Sequence, residues 1–401
     1  MPPAGPHDLA GILAPEDVSQ FLVQVYGKGF LHIPGDPGKF AGLLPWERLN
    51  AILEEHRLQP PRLRLTREGK PVAPDTWLSF VQDARRSAPA IPRLDASALT
   101  RELRSGATLV LDAVDELQRP VRTLSENLER LFRVRVQVNA YAGWRTSHGF
   151  DLHWDDHDVF VLQVAGRKHW KVYGQTRRFP LKRDVEPAVD PPSEVLWEGL
   201  LEAGSLLYIP RGWWHVATPL DEPTLHLTVG VNNATGNDLL RWFTERLKRE
   251  EIVRSDLPLF GPAHDRAAFA DNLRDAILRN WDERLVDEYL QDADAQAGPR
   301  PALTLPWGAT AEAMPPRGSV IRWAVSRVPV LDTSTDEISF VACGRRWRFA
   351  PAAEPLLNLL TTGLPCSLEQ LEQASSSVSS DSVQNLVRDL AVHGLVTIVT
   401  R

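Results

Sequence analysis

Between Val134 and Val231 the chain changes its period. Runs such as VRVQVNAYAG, VFVLQVAG, KHWKVYG and TLHLTVGVN are rich in β-branched and aromatic residues, and Gly, Pro and Asp punctuate them at short intervals. Side chains alternate across a strand, so runs of this kind belong to sheets. A parallel sheet needs a crossover of a dozen or more residues, usually a helix, between successive strands. None separates these runs, so the centre of the chain is predicted to be an antiparallel sandwich or barrel of the jelly-roll type.

The flanks follow a helical period instead. PEDVSQFLVQVYG and LPWERLNAILEEHRL space their apolar residues as helices do, around a short strand-like GFLHIPG, and a mixed pattern runs over 96–132. Beyond the sheet region, GNDLLRWFTERLKREEIV and DRAAFADNLRDAILRNWDERLVDEYLQDADAQ return to helical spacing, and AGPRPALTLPW reads as a linker. The last part holds strand candidates SVIRWAVSRVPVL and EISFVACGRRWRFA, helices CSLEQLEQAS and SDSVQNLVRDLAVHG, and a closing strand LVTIVTR. That set fits a winged-helix-like module. Three domains are expected: 1–235, mainly β with an N-terminal helical part; 236–300, all helical; and 305–401, winged-helix-like.

Composition narrows the function classes. With 43% hydrophobic and 24% charged residues this is an ordinary soluble globular chain, and its net charge of -7 suits no polyanion partner. Residues 309–401 hold eight arginines, no lysine and nine acidic residues, and only GRRWR is locally basic. Phosphate contacts need clustered positive charge, so a winged-helix DNA-binding regulator with a non-catalytic β-barrel is the poorer alternative. Cys343 and Cys366 are the only cysteines, which excludes a disulfide framework and points to a reducing cytoplasm. No secretory signal and no membrane span is read in the sequence.

The segment FDLHWDDHDVFVLQVAGRKHWKVYG, 150–174, carries the chemistry. Residues i and i+2 share a strand face, so His153 and Asp155 are expected to point together at the head of the VFVLQV strand. Asp156 and Asp158 are expected on the other face, with His157 sharing the first. HxD alone arises often by chance. A later histidine, His215, follows LLYIPRGWW and makes the best third ligand, against the plainer reading of a core histidine. Two imidazoles and a carboxylate form the facial triad of non-haem Fe(II) oxygenases and leave positions open. The absence of thiolates argues against structural zinc.

Such an iron needs an electron donor, and 2-oxoglutarate would chelate it through its 2-oxo acid end. The far carboxylate then requires a cation. Lys168, past the AGR turn on what reads as a hairpin, is the candidate, with Asn139 and Tyr141 as i and i+2 polar groups on the preceding strand. The plain alternative is a solvated hairpin lysine. Asp151, Asp156 and Asp158 would give an acidic mouth if exposed, or are strand-end acids satisfied locally.

VNAYAG, HWDDHDVFVLQVAGRKHWKVY, LEAGSLLYIPRGWWHVATP and TLHLTVGVNNATGNDLLRW together resemble the JmjC-type ribosomal oxygenases of the cupin superfamily. FLVQVYGKGFLHIPG resembles that family's N-terminal segment. The resemblance implies a double-stranded β-helix (jelly-roll, cupin), a helical dimerisation domain and a winged-helix domain. It implies His153, Asp155 and His215 as iron ligands, and Lys168, Asn139, Tyr141 and, less strongly, Thr228 at 2-oxoglutarate. It further implies hydroxylation of a histidine or arginine in a ribosomal protein, by a homodimer. The same chemistry on a peptide natural-product precursor is an alternative. His157 departs from the family's aliphatic or tyrosine residue, and the Trp213–Trp214 pair resembles asparaginyl hydroxylases, so the modified side chain stays open.

Overall fold

The computed structural model describes residues 6–81, 91–181, 184, 190–307, 309, 316, 318–334, 336–375 and 377–399. The chain divides after Asn233 into two compact units. The first runs α1 (Leu9–Leu13), α2 (Val18–Gln24), β1 (Leu31–Ile33), α3 (Trp46–Glu55), β2 (Leu63–Arg67), β3 (Lys70–Pro71), β4 (Leu78–Val81), β5 (Ile91–Leu94), α4 (Ala96–Arg104), β6 (Thr108–Leu111) and α5 (Arg119–Phe132). It continues through β7 (Val136–Gly143), β8 (Asp158–Ala165), β9 (Lys168–Gln175), β10 (Val195–Leu201), β11 (Leu206–Ile209), β12 (Trp213–Pro219) and β13 (Thr224–Val231).

Eight strands form a large sheet in the order β1-β11-β8-β13-β7-β6-β2-β3, and three form a small sheet, β10-β9-β12. All their pairings are antiparallel. The large sheet reaches beyond the period-two region. It recruits β6 from the mixed stretch, and β2 and β3 from a stretch to which periodicity assigns nothing.

Both faces of the large sheet are covered. On one, the helices pack on Val136, Val138 and Ala140 of β7, Phe160 and Leu162 of β8, and Leu225, Leu227 and Val229 of β13. On the other, Val159 and Val161 meet Trp170, Val172, Leu201, Leu207 and Ile209 between the sheets. A strand buried on both faces reads as an unbroken apolar run, which accounts for VFVLQVA. In α5, Val121, Leu124, Ser125, Leu128 and Glu129 share the buried side, and Arg133 closes the helix in the left-handed region.

Of β7, only Ala140–Ala142 pair with β6. Ahead of that, the Val136 and Val138 amides donate to Glu129 (3.1 Å) and Asp115 (2.8 Å), and the Ala113 amide donates to Asn139 Oδ1 at 2.9 Å. Buried backbone donors must be paired, and side chains here replace the missing strand.

The second unit comprises α6 (Gly236–Leu247), α7 (Glu251–Arg254), α8 (Ala263–Arg279), α9 (Leu285–Gln296), β14 (Val320–Trp323), β15 (Ile338–Ala342), β16 (Arg345–Phe349), α10 (Glu354–Thr361), β17 (Cys366–Ser367), α11 (Leu368–Ala374), α12 (Ser380–Val392) and β18 (Val396–Val399). Its strands form a β17-β14-β18 sheet and a β15-β16 hairpin around a core that includes Ile321, Phe340, Leu357, Leu371 and Val387. α10 lies in a segment that the sequence reading passes over. The last two residues of the closing strand, 400 and 401, fall outside the described residues. No helix among the described residues is long and apolar enough to cross a membrane.

Candidate metal centre

The two sheets enclose a cavity of about 440 Å³. Asn139 and Tyr141 enter it from β7, His226, Thr228 and Gly230 from β13, Lys168 and Trp170 from β9, and His215 from β12. On β7 and β13 these residues alternate with the helix-facing core set, so one register decides both.

His153, Asp155 and His215 converge there, with one ligand atom from each lying within 4.8 Å of the others. The route differs from expectation. β8 starts only at Asp158, and His153 forms an isolated antiparallel bridge with His215. The His215 amide donates to the His153 carbonyl at 2.8 Å, the reverse bond is 3.2 Å, and the Gly212 amide donates to the Asp155 carbonyl at 2.8 Å. The ligand pair is thus tied to a small-sheet strand, and Asp156 and His157 carry the chain across to the large sheet. For the same reason Asp156 lines the cavity, against the predicted alternation, and only Asp158 is turned away. Asp158 is buried and accepts from the Arg211 amide (2.8 Å) and Asn233 Nδ2 (2.7 Å), so it adds nothing to an acidic mouth. Asp151 is exposed beside His148.

Each imidazole is fixed through Nδ1, His153 to the Asp151 carbonyl (2.8 Å) and His215 to the Trp213 carbonyl (3.0 Å). With Nδ1 donating, Nε2 keeps its lone pair, and His215 Nε2 lies 3.5 Å from Asp155 Oδ2. Burial, reinforced by neighbouring His153, lowers His215 to about 4. A neutral imidazole is the form a metal requires. Two such nitrogens and a carboxylate fit a divalent ion of the facial-triad kind.

Lys168 is buried and makes no hydrogen bond or ion pair with any described residue; its Nζ lies 5.9 Å from the Trp170 ring centroid. Burial lowers it to about 8. An isolated buried ammonium is costly, so this end of the cavity suits an anion. The expected hairpin is absent, because β8 and β9 belong to different sheets. Gly166, at φ +65, turns the chain between them, and a Cβ there would lie 2.0 Å from the Pro223 carbonyl oxygen. Val172 pairs with His215 and Lys168 with Pro219, which places the Lys168 backbone about 13 Å along β9 from the ligand level.

Between these ends, Tyr141 stacks on His226 with centroids 4.9 Å apart and planes 4° apart. Burial and then the charge of Asp155 push the Tyr141 phenol up to about 12, against a hydrogen bond from Asn139. Burial and the charge of Lys168 hold His226 well below the usual histidine range. Thr228 lines the same wall, paired across from Asn139. Sequence reasoning missed His226 and Trp170, although each stands two residues from a chosen one, Thr228 and Lys168. His157 faces the cavity with Nδ1 3.1 Å from Asp156 Oδ1, its ring over Gly230.

Residues 116–239 match the JmjC domain family. Ribosomal oxygenase 1 of Gallus gallus is 30% identical over 299 residues, covering 69% of this chain and 48% of that protein. A Drosophila pseudoobscura pseudoobscura protein named bifunctional lysine-specific demethylase and histidyl-hydroxylase NO66 is 26% identical over 241 residues, 57% of this chain and 23% of its own length. The chain spans less than half the length of these two relatives. The structure of Escherichia coli ycfD aligns over 96% of this chain and 98% of its own, with a TM-score of 0.58 at 18% identity. A YcfD structure in complex with cobalt and 2-oxoglutarate gives 0.55 at the same identity. Within this antiparallel double-sheet architecture, residues 116–239 form a JmjC domain, and the chain is similar over 69% of its length to a ribosomal oxygenase.

Proposed function

We propose that the chain is an Fe(II)- and 2-oxoglutarate-dependent oxygenase that hydroxylates a histidine or arginine side chain in a ribosomal protein. One observation carries this reading: a single cavity holds the His153–Asp155–His215 cluster and, at its other end, a buried lysine without a partner. A dicarboxylate that chelates a metal at one end and needs a cation at the other matches that pair of demands. The names of the relatives, and the cobalt and 2-oxoglutarate bound to YcfD, support it.

In this reading His153, Asp155 and His215 hold Fe(II). Lys168 binds the far carboxylate of 2-oxoglutarate, Tyr141 and Thr228 offer hydroxyls to it, and Asn139 orients Tyr141. Bound there, Fe(II) would activate dioxygen, the oxidant, with 2-oxoglutarate as the two-electron reductant that leaves as succinate and carbon dioxide, so that one oxygen atom enters a substrate C–H bond. The protein binds, orients and excludes water. Trp170 and His226 wall the co-substrate end, and Asp151 and Asp156 leave an acidic rim for a basic target. Purified chain with Fe(II), 2-oxoglutarate and ribosomes from cells lacking the gene should release succinate and add one oxygen atom to a ribosomal protein by mass spectrometry. Metal binding without turnover on such ribosomes would remove the reading.

The segment 236–300 is assigned to self-association, 305–401 to a winged-helix module, and the protein to the cytoplasm. α8 buries only Ala276, while Leu257, Phe260, Leu278 and Trp281 of this segment are exposed. Light scattering on the Leu278→Glu, Trp281→Glu double variant should report a monomer where the parent is a dimer.

A further inference from the structure

Near the Asp155 end of the site two arginine side chains meet one aromatic ring, and Arg211 feels the charge of the buried Asp158 without forming an ion pair to it. Beyond Val172, β9 reaches Gln175 opposite Trp213 and leaves the sheet in a loop holding Arg177, Arg178 and Phe179. Arg211 stands at the same end, in the turn between β11 and β12. The guanidinium carbons of Arg178 and Arg211 each lie 5.3 Å from the Phe179 ring centroid. Phe179 is 50% exposed and sits at φ +53, an uncommon conformation for a bulky residue. Neither guanidinium has a hydrogen bond or ion pair among the described residues, and the loop's Asp184 is held by Arg177 at 2.8 Å.

The loop is pinned. Pro180 is buried against Gly212, where a Cβ would come within 2.7 Å of its ring. The Arg211 amide is anchored by Asp158, and the next amide, of Gly212, donates to the carbonyl of Asp155. The Arg211 backbone therefore keeps a fixed place relative to the proposed metal ligands, and Pro180 holds the loop that carries Arg178 against it.

We propose that Arg178 and Arg211 form a docking site for an acidic side chain of the protein substrate, a carboxylate flanking the modified residue. This rests on the protein-hydroxylase reading above. Two guanidiniums sharing one aromatic ring repel each other, and a carboxylate between them relieves that while gaining charge-assisted bonds. Guanidiniums stacked on a ring keep their N–H edges free for such a ligand. A nucleic-acid backbone fits less well, since tracking phosphates takes a longer run of cations and the chain's charge is -7. A peptide with a basic target and an acidic flank complements both the Asp151–Asp156 rim and the arginine pair.

The probe is a set of short peptides centred on histidine or arginine, with Glu or Gln scanned through every flanking position. Hydroxylation is read by mass spectrometry with Fe(II) and 2-oxoglutarate, and binding by fluorescence anisotropy on the Co(II)-loaded full chain. The parent should prefer Glu to Gln at one position by about tenfold, chiefly in KM and in Kd, as a charge-assisted bond outweighs a neutral one. Arg178→Gln and Arg211→Gln should each shrink that ratio, and Arg211→Glu should turn the preference towards Lys, which a merely structural loop would not do. Equal handling of Glu and Gln, a preference that survives in the double Gln variant, or peptides that neither bind nor react overturns the proposal. Acid-dependent binding without hydroxylation keeps the docking site and removes the oxygenase reading; hydroxylation without acid dependence does the reverse.

Discussion

His153 and His215 face each other across an isolated antiparallel bridge, their ring centroids 4.5 Å apart and their planes at 56°. Backbone hydrogen bonds, not side-chain packing alone, bring the two imidazoles to Asp155. His215→Ala should therefore spare the bridge and weaken Co(II) binding by at least about 100-fold, because even groups behind the ligands cost 10–100-fold when removed. Calorimetric titration checks this, and unchanged affinity would exclude His215 as a ligand.

Lys168 should make the protein sensitive to pH. Its folded value of about 8 lies below the 10.5 of a free lysine, so between the two the unfolded chain binds more protons. Stability should then rise with pH across that window, and Lys168→Met should abolish the slope and stabilise the ligand-free protein at neutral pH. Denaturant unfolding across the window measures it.

Under the proposed function the same lysine holds the far carboxylate of 2-oxoglutarate. Lys168→Met should weaken the co-substrate by about 3 kcal/mol, a factor on the order of 100, since it removes the cation from a buried pair. Affinity in the parent should also fall as pH rises past about 8, where the ammonium is lost. Co-substrate binding that ignores both changes would place the carboxylate elsewhere.

Gly230 makes room for His157. A Cβ there would meet its ring at 2.8 Å, so Gly230→Ala should cost about 1–3 kcal/mol by overpacking. Adding His157→Ala should recover most of that. A strictly additive double variant, by thermal unfolding, would show that the two do not press on each other.

Asp158→Ala should destabilise by about 3 kcal/mol, leaving the Arg211 amide and Asn233 without their buried acceptor. Asp158→Asn, which keeps one acceptor oxygen, should lose less. Similar melting temperatures for both variants would contradict this account.

The sheet region is legible because it rests on a short-range rule, strand period two, whereas His153, Asp155, His215 and Lys168 are legible by residue type and motif and not by the strand and hairpin geometry expected of them. Partition between sheets was not legible. Nothing local in VFVLQVAGRK separates a hairpin from a crossing, and Gly166 serves either. Here the crowding of Gly166 by Pro223 and the pairing of β9 with β10 and β12 decide for the crossing. Asp156 was misplaced for the same reason, since alternation fails where the chain leaves one sheet for another. β2 and β3 escaped notice because a two-strand addition at a sheet edge carries few residues of any period. His226 was hidden differently: its neighbours are apolar, and only its alternation with Leu225 and Leu227 marks it as facing the cavity.

That alternation gives β13 an unusual tolerance. Leu225, Leu227, Val229 and Val231 serve the helical layer while His226, Thr228 and Gly230 serve the cavity. Any one of the four helix-facing residues can be exchanged for an apolar residue of similar size at modest expense. Deleting a single residue within the strand would instead swap the two sets on one side of the deletion, presenting leucine and valine to the cavity and polar residues to the helix-facing core. Length, rather than identity, is what this strand cannot vary.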